Sequence, residues 1–473
     1  MTSGKSNTSA DTDRIAHPYI PNSIPRVKTE MLGAIGAASM EDLYADIPEA
    51  LRLRRPLDLP PPLRSEVELA RHVRTLLARN VSTQEVISFL GAGCYQHHVP
   101  AICDEINSRG EFLTAYAGEP YEDHGRFQAL FEYASMMGEL LEMDVVNVPT
   151  YDGYQAAATA LRMSARITGR STVVLPRSVG RDKLRRIREY LKPDLTCQLT
   201  PYDASTGEVA VEELRAALHD DVAAVFVETP GYLGVVETEA PAIVRLAHEA
   251  GALAVVAVDP ITLGVLMPPA NFGADIVCGD LQPLGMHAQF GGGQAGFIAT
   301  RDEERFVAEY PSRLFGIVPT IVEGEYGFGD VAYKRTSFAA RENGKEWVGT
   351  TAALWGITAG VYLALMGPQG MVELGRNLMA RTRYAIESVA RIPGIRVPFR
   401  QGHHVKEFVV DLSASGRTVS AVNAALRQRG IFGGADLSTE FPELGQAMLV
   451  CVTEVHTRAD IDRLATELAQ ALR

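Results

Sequence analysis

The 473-residue chain has few cysteines, and none of them occurs in a CxxC pair. The five lie scattered along the sequence, at Cys94, Cys103, Cys197, Cys278 and Cys451. An odd, dispersed set argues against a disulfide framework and favours reduced thiols in a cytosol. No ligand spacing typical of zinc joins His97 and His98 to other histidines or cysteines, so we expect no metal site.

Long apolar runs are also scarce. The first residues are small and polar and lack the apolar core of a secretory signal, which predicts a cytoplasmic protein. One uncharged segment extends from Thr350 to Gly367. Its threonines and glycines lower its hydrophobicity, so a helix buried in a domain or interface is a better interpretation than a membrane span. We expect no membrane association.

Positive charge is in deficit. Lys and Arg together number 45 against 58 Asp and Glu, which gives a formal net charge of −13. This balance argues against a non-specific nucleic-acid binder. The composition, with 46% hydrophobic and 22% charged residues, is that of a soluble globular protein long enough for two or three domains.

The sequence features that predict a fold and a site are concentrated in the stretch from Ala254 to Phe297. Its first residues, up to Val258, predict a buried strand that ends on Asp259-Pro260. A second short strand, Ile276 to Cys278, is followed by Gly279-Asp280. Ligands of open α/β sheets bind beyond the carboxyl ends of strands, so we expect a site between these two acid-bearing loops.

Strands and helices alternate from Ser171 onward, which predicts an α/β fold with a mostly parallel sheet. After Gly370 a long amphipathic helix and a smaller α+β domain follow. We expect an N-terminal tail and arm over residues 1–65, a large domain over 66–370 and a C-terminal domain over 371–473. The Pro- and Arg-rich stretch Leu51 to Leu63 is either a linker over the surface or an arm that packs on a partner subunit.

Several segments carry a family resemblance. In chain order they read GAGCYQHHVPA, SRGEFLTAY, FQALFEYASMM, MDVVNVPTYDG, DPITLGVLMPPANFGADIV and LQPLG. They resemble the glycine decarboxylase (P-protein) of the glycine cleavage system and match best the first subunit of its two-subunit bacterial form. The likeness extends from about Tyr19 to the C-terminus.

The resemblance implies a fold-type-I pyridoxal-phosphate-dependent transferase fold. In such enzymes an Asp at a strand end holds the pyridinium nitrogen, and a later Lys forms the Schiff base. Asp259 matches the first position, but Gln282 and Pro283 occupy the region of the second. The nearest lysines in sequence are Lys192 and Lys334. Asp259 has two interpretations: a vestigial fold relic or turn-former that needs no ligand, or a pyridinium partner that would need the missing lysine.

The resemblance also implies a partner. The second P-protein subunit would carry the lysine and bind pyridoxal phosphate covalently, with no covalent cofactor on this chain. Together the two would decarboxylate glycine and pass the aminomethyl group to the lipoyl carrier (H) protein. A heterotetramer, a dimer of mixed dimers, is the implied assembly.

Two clusters supply candidate site residues. Tyr95, His97 and His98 are either site residues or a satisfied structural cluster. Glu122, His124 and Arg126 lie in a charge-rich run that is either a solvated loop or part of a shared site. In the second interpretation Glu122 and His124 transfer protons or position a carboxylate, and Arg126 holds a substrate carboxylate.

The loop AGEPYEDHGR, Ala117 to Arg126, departs from the family pattern of a Tyr-Gln-Pro-Glu type loop and a Ser-Gln-Gly element. This departure motivates a second hypothesis: a non-catalytic or divergent paralogue that supports a related pyridoxal enzyme acting on another amino acid.

Overall fold

The computed structural model describes residues 19–55, 57–112, 124–292, 294–337, 340, 342, 344–346 and 352–473. Two compact units meet between Asn80 and Val81. In the part of the chain that is described, no helix is long and apolar enough to cross a membrane.

The N-terminal unit contains two helices, α1 (Pro25–Ala34) and α2 (Glu66–Leu77). Ser65 caps α2, since its side chain accepts a hydrogen bond from the backbone N–H of Glu68. Between residues 52 and 64 the described residues form neither helix nor strand. None of the residues described between 19 and 80 is buried. Helix α2 lies within this unit, and the domain boundary expected at residue 65 stays a prediction.

The second unit holds all the strands of the described chain. In chain order they are β1 (Ile87–Ser88), β2 (Val145–Val146), β3 (Thr172–Pro176), β4 (Thr196–Thr200), β5 (Val222–Glu228), β6 (Leu253–Ala257), β7 (Ile276–Asp280), β8 (Gly296–Thr300), β9 (Phe315–Pro319), β10 (Tyr326–Asp330), β11 (Glu407–Asp411), β12 (Ile431–Phe432), β13 (Ala435–Asp436) and β14 (Ala447–Cys451). Its helices are α3 (Ala101–Asn107), α4 (His124–Leu141), α5 (Gly153–Thr168), α6 (Arg181–Leu191), α7 (Val211–Ala217), α8 (Ala240–Glu249), α9 (Glu304–Val307), α10 (Ala353–Val389), α11 (Val419–Gln428) and α12 (Arg458–Ala471).

The central sheet has seven strands in the order β2-β8-β7-β6-β5-β3-β4. The pairs from β7 through β6, β5 and β3 to β4 are parallel, and β8 is antiparallel to both β7 and β2. This confirms the predicted α/β fold with a mostly parallel sheet. The two strands predicted around Asp259 are β6 and β7, which are hydrogen-bonded neighbours.

Both faces of this sheet are covered, which explains why its strands read as continuous apolar runs. In β6, Ala254 and Val256 belong to the hydrophobic core that includes α8 and α10 residues. Val255 and Ala257, which point the other way, belong to the core formed with α5 and α6.

The C-terminal part contains a three-stranded antiparallel sheet, β11-β14-β13, packed with α11 and α12. Strand β1 pairs in parallel with β12, so the segment that leads to Tyr95 and His97 begins against this part of the chain. Helix α10 is interrupted at Gly367, where φ is +59°, just before Pro368. The predicted boundary at residue 370 lies shortly after this interruption.

Candidate functional site

A cavity of about 630 Å³ lies at the carboxyl edge of the central sheet. Strands β5, β6 and β7 end beside it and present Glu228, Asp259 and Asp280. The N-termini of α5 and α6 border it, and Lys406 and Glu407 reach it from the start of β11. Both the volume and the position are those of small-molecule sites in α/β proteins.

Asp259 follows β6 and is ion-paired with Lys406. Its Oδ1 accepts a hydrogen bond from the backbone N–H of Ile261 at 3.1 Å, within the 3₁₀ turn Pro260–Gly264. The Lys406 side chain is 5% exposed. A buried ammonium without a carboxylate would be strongly unfavourable, so this pair is what allows Lys406 to lie inside the protein.

Lys406 has two further partners. Its Nζ lies 3.3 Å from Nε2 of His97 and 3.3 Å from the centre of the Tyr95 ring, a cation–π contact. Since an ammonium only donates, Nε2 of His97 accepts and the imidazole proton is on Nδ1. That nitrogen lies 2.8 Å from Oε2 of Glu454 and donates to it.

Glu454 anchors this network. Besides His97 it accepts the backbone N–H of His98 at 2.6 Å. Burial alone would raise the pKa of Glu454, but the hydrogen bonds from His97 and from the backbone outweigh it and lower the pKa to about 2. Glu454 is therefore ionised at neutral pH and fixes the orientation of the His97 ring.

Glu407 lies beside the same network. Its carboxyl accepts the backbone N–H of Ala92 at 2.7 Å and the hydroxyl of Tyr95 at 3.1 Å. Burial raises the pKa of Glu407 to about 7, although these hydrogen bonds and Lys406 act in the opposite direction. Burial also raises the pKa of Tyr95, so its hydroxyl is a donor at neutral pH.

Gln282 takes the position where the resemblance would require a lysine. It is fully buried. Its Oε1 accepts the backbone N–H of Tyr95 at 2.9 Å, and its Nε2 donates to the carbonyls of Tyr95 at 2.9 Å and Met286 at 3.0 Å. Gln282 therefore holds the segment of Tyr95 against the end of β7, while Pro283 lines the cavity.

Asp280, at the end of β7, closes the N-terminus of α5. Its Oδ2 accepts the backbone N–H of Gly153 and its Oδ1 that of Gln282, both at 2.8 Å. Burial raises the pKa of Asp280 to about 7. Gly153 permits this approach, because a Cβ there would lie 2.9 Å from the Asp280 nitrogen. Asp152 caps the same helix by accepting the N–H of Gln155 at 2.7 Å.

A second lysine, Lys183, enters the cavity from the first turn of α6. Its Nζ lies 2.5 Å from Oε1 of Glu228, at the end of β5. Burial alone would lower the pKa of Lys183, but the carboxylate of Glu228 raises it above its usual value. The amine is therefore protonated.

The structure brings together part of the predicted site. Tyr95, Asp259 and Pro283 line the cavity, and Gln282 lies directly behind it. His98 is exposed and joins the network only through its backbone. Arg126 is 1% exposed on α4 and, in the described chain, is not among the residues that line this cavity. His124 begins α4, and Glu122 lies outside the described residues.

Sequence reasoning missed Lys183, Lys406 and Glu454. Lys192 and Lys334 are the nearest lysines along the chain, whereas Lys406 reaches the cavity from the C-terminal part of the fold. One signal was available: the charged pair Lys406-Glu407 opens the buried strand β11, an environment in which unpaired charges are rare.

The fold with its strand-end cavity is the fold-type-I pyridoxal-phosphate-dependent transferase fold. A NifS-like protein shares the fold at a TM-score of 0.62 and 11% identity, over 82% of this chain and 99% of that one. A sphingosine-1-phosphate lyase of Burkholderia pseudomallei shares the fold at a TM-score of 0.65 and 15% identity, over 90% of this chain and 94% of that one.

A narrower assignment follows from closer relatives. The family model of the glycine cleavage system P-protein matches residues 17–468, and the chain belongs to this family. It is 40% identical to a probable glycine dehydrogenase (decarboxylating) subunit 1 of Geobacillus kaustophilus, over 96% of this chain and 98% of the relative. A probable glycine dehydrogenase (decarboxylating) subunit 1 of Staphylothermus marinus is 34% identical, over 97% of this chain and 98% of the relative.

A solved relative agrees with this assignment. The crystal structure of a glycine decarboxylase (P-protein) in inhibitor-bound form has a TM-score of 0.85 and 33% identity, and it covers 97% of this chain and 100% of that one. The resemblance inferred from the sequence motifs is therefore confirmed. The names of these relatives do not favour the hypothesis of a divergent paralogue.

The cavity of this chain does not fit pyridoxal phosphate. Asp259 is already paired with Lys406, and the N-terminus of α5 is hydrogen-bonded to Asp280. Gln282 stands where the Schiff-base lysine would be. Among the described residues, Lys183 and Lys406 line the cavity, and each amine is ion-paired with a carboxylate instead of being free to react with an aldehyde.

Proposed function

We propose that this chain is the non-Schiff-base subunit of a two-chain glycine dehydrogenase (decarboxylating) of the cytoplasm. A second subunit, which carries the lysine, would bind pyridoxal phosphate covalently, and the pair would decarboxylate glycine. The observation that carries the proposal is a relationship over nearly the full length to proteins named subunit 1. In this chain the two lysines that line the described part of the cavity are both ion-paired with carboxylates.

Within such an enzyme this chain supplies scaffold and interface. The network of Asp259, Lys406, His97 and Glu454 joins the central sheet to the C-terminal part and keeps the cavity edge rigid. Glu122, His124 and Arg126 remain our candidates for residues that reach a site shared with the partner. The aminomethyl group would be transferred to a lipoyl carrier protein. The assembly would be a dimer of mixed dimers.

The stretch between residues 51 and 63 is our candidate for a partner contact. Leu51, Leu53, Leu57 and Leu59 are between 59% and 75% exposed. A series of exposed leucines in a proline-rich segment is unusual for a surface linker and typical of an interface. The double variant Leu57→Asp/Leu59→Asp should leave the unfolding midpoint of the isolated chain unchanged and weaken its association with the partner by tenfold or more. Equal association of variant and unmodified chain would exclude the segment from the interface.

The proposed activity is tested by mixing the purified chain with the lysine-bearing subunit, pyridoxal phosphate, glycine and labelled bicarbonate. We expect glycine–bicarbonate exchange in the presence of a lipoyl carrier from the mixture and from neither chain alone. A mixture that binds pyridoxal phosphate without exchanging glycine would contradict the assignment of substrate. Glycine–bicarbonate exchange by this chain alone would contradict the assignment of the Schiff-base lysine to the partner subunit.

A further inference from the structure

The cavity contains side chains at each of the three places where a phosphorylated pyridine cofactor is normally held. These places are a strand-end carboxylate for the ring nitrogen, a helix N-terminus for the phosphate and a lysine for the aldehyde. In this chain Lys406 engages the first place, Asp152 and Asp280 engage the second, and Gln282 stands in the sequence region of the third.

The ring-nitrogen position is filled by Lys406. The Asp259 side chain is 14% exposed, and its cationic partner is the Lys406 ammonium. This ammonium has three donors, and three acceptors surround it: the Asp259 carboxylate, Nε2 of His97 and the face of Tyr95. The contacts of Lys406 thus form a complete cation site.

The phosphate position is filled by carboxyl groups. Backbone N–H groups at the start of α5 would attract an anion, yet Gly153 donates to Asp280 and Gln155 donates to Asp152. A phosphate at this end would have to displace the Asp152 and Asp280 carboxyl groups from these N–H groups. The Arg186 guanidinium pairs with Asp152 at 2.8 Å, so the positive charge of Arg186 is already engaged by a carboxylate and is not free for a phosphate.

We infer that Lys406 is a built-in cation that replaces the cofactor's ring cation at Asp259, and that this chain's own cavity is closed to pyridine phosphates by its internal side chains. The Asp259 position then remains a site for an organic monocation, occupied from within by the lysine. The inference rests on this chain's geometry and does not depend on the identity of the partner or of the substrate.

Binding to the unmodified full chain is the first test. Pyridoxine 5′-phosphate is the probe, since it lacks the aldehyde and cannot form imines with surface lysines. Equilibrium dialysis should show no stoichiometric binding at about 1 mM probe, the concentration at which even a weak specific site would be half filled. Saturable binding of one equivalent per chain would overturn the inference.

Chemical rescue is the second test. Lys406→Ala removes the amine and leaves space, which propylammonium can fill beside Asp259. We expect propylammonium to raise the melting temperature of Lys406→Ala saturably. It should not do so for the unmodified chain or for the matched control Lys406→Ala/Asp259→Asn, and sodium chloride at equal ionic strength should have no such effect. Equal stabilisation of the single and double variants would overturn the inference.

A third test can be made even if Lys406→Ala does not fold, because it compares the stabilities of two other variants. Lys406→Met and Lys406→Met/Asp259→Asn differ only in whether a buried carboxylate lacks its cation. The double variant should have the higher denaturation midpoint and yield of folded protein. A double variant no more stable than the single one would show that the two side chains are not a functional pair, contrary to the inference.

Discussion

Two lysine–carboxylate pairs lie in one cavity, and they are built differently. Lys183 and Glu228 come from α6 and β5, both part of the central sheet and its covering helices, and the aromatic rings of Tyr154 and Phe226 are centred more than 5 Å from the amine. Lys406 and Asp259 connect the C-terminal part to β6, and His97 and Tyr95 contact the amine at 3.3 Å. The difference indicates that the second pair is a structural centre and the first a local contact.

The largest effect should come from Asp259→Asn, which leaves the Lys406 ammonium buried without a countercharge. Removing one partner of a buried ion pair costs roughly 3–5 kcal/mol, and we expect a loss of that size in the free energy of unfolding. Urea denaturation measures it. The reference is Lys406→Met/Asp259→Asn, which should recover much of the loss.

Gln282→Ala should rank second. The substitution removes three hydrogen bonds and leaves the backbone groups of Tyr95 without their partner, at a cost of roughly 2–4 kcal/mol. Because the effect is on the segment that carries Tyr95 and His97, hydrogen exchange there should accelerate as well. A loss of stability without faster exchange in this segment would contradict the role assigned to Gln282.

Glu228→Gln should have a smaller effect than Asp259→Asn. The Lys183 side chain is 14% exposed against 5% for Lys406, so water can approach the ammonium more readily when the carboxylate is lost. We expect a loss of about 1–2 kcal/mol by the same denaturation assay. A loss equal to that of Asp259→Asn would remove the distinction between the two pairs.

The smallest effect concerns pH. Burial raises the folded-state pKa of Glu407 from its ordinary value of 4.5 to about 7, so the folded chain binds this proton more tightly than the unfolded chain. Its contribution to stability is complete below about pH 4.5 and is lost as the pH rises through about 7. Glu407→Gln should therefore reduce the fall in the unfolding free energy across this window by about 1 kcal/mol or more. An unchanged pH profile would show that Glu407 does not titrate as described.

The sheet was predictable because its signals are local. Runs such as Ala254–Val258, bounded by Asp259-Pro260, predict a buried strand and its end, and the structure has β6 there. The same reasoning placed the cavity between the ends of β6 and β7, because in a parallel sheet these ends lie at one edge.

The occupants of the cavity were not predictable in the same way. Lys406 is distant from Asp259 in sequence, and only the packing of the C-terminal part against the sheet brings them together. Gln282 could be recognised as a missing lysine, but its hydrogen bonds to Tyr95 depend on a loop whose path has no periodic pattern. For Glu122, His124 and Arg126 a role at a shared site stays a prediction.

The most direct test of the central claim is a titration of the isolated chain with pyridoxal phosphate, followed by borohydride reduction and peptide mapping. We predict no Schiff-base absorbance band and no stoichiometric pyridoxyl group on Lys183 or Lys406, since each amine is engaged in an ion pair with a carboxylate. One equivalent of cofactor reduced onto either lysine would contradict the account and identify the chain as a self-sufficient pyridoxal enzyme.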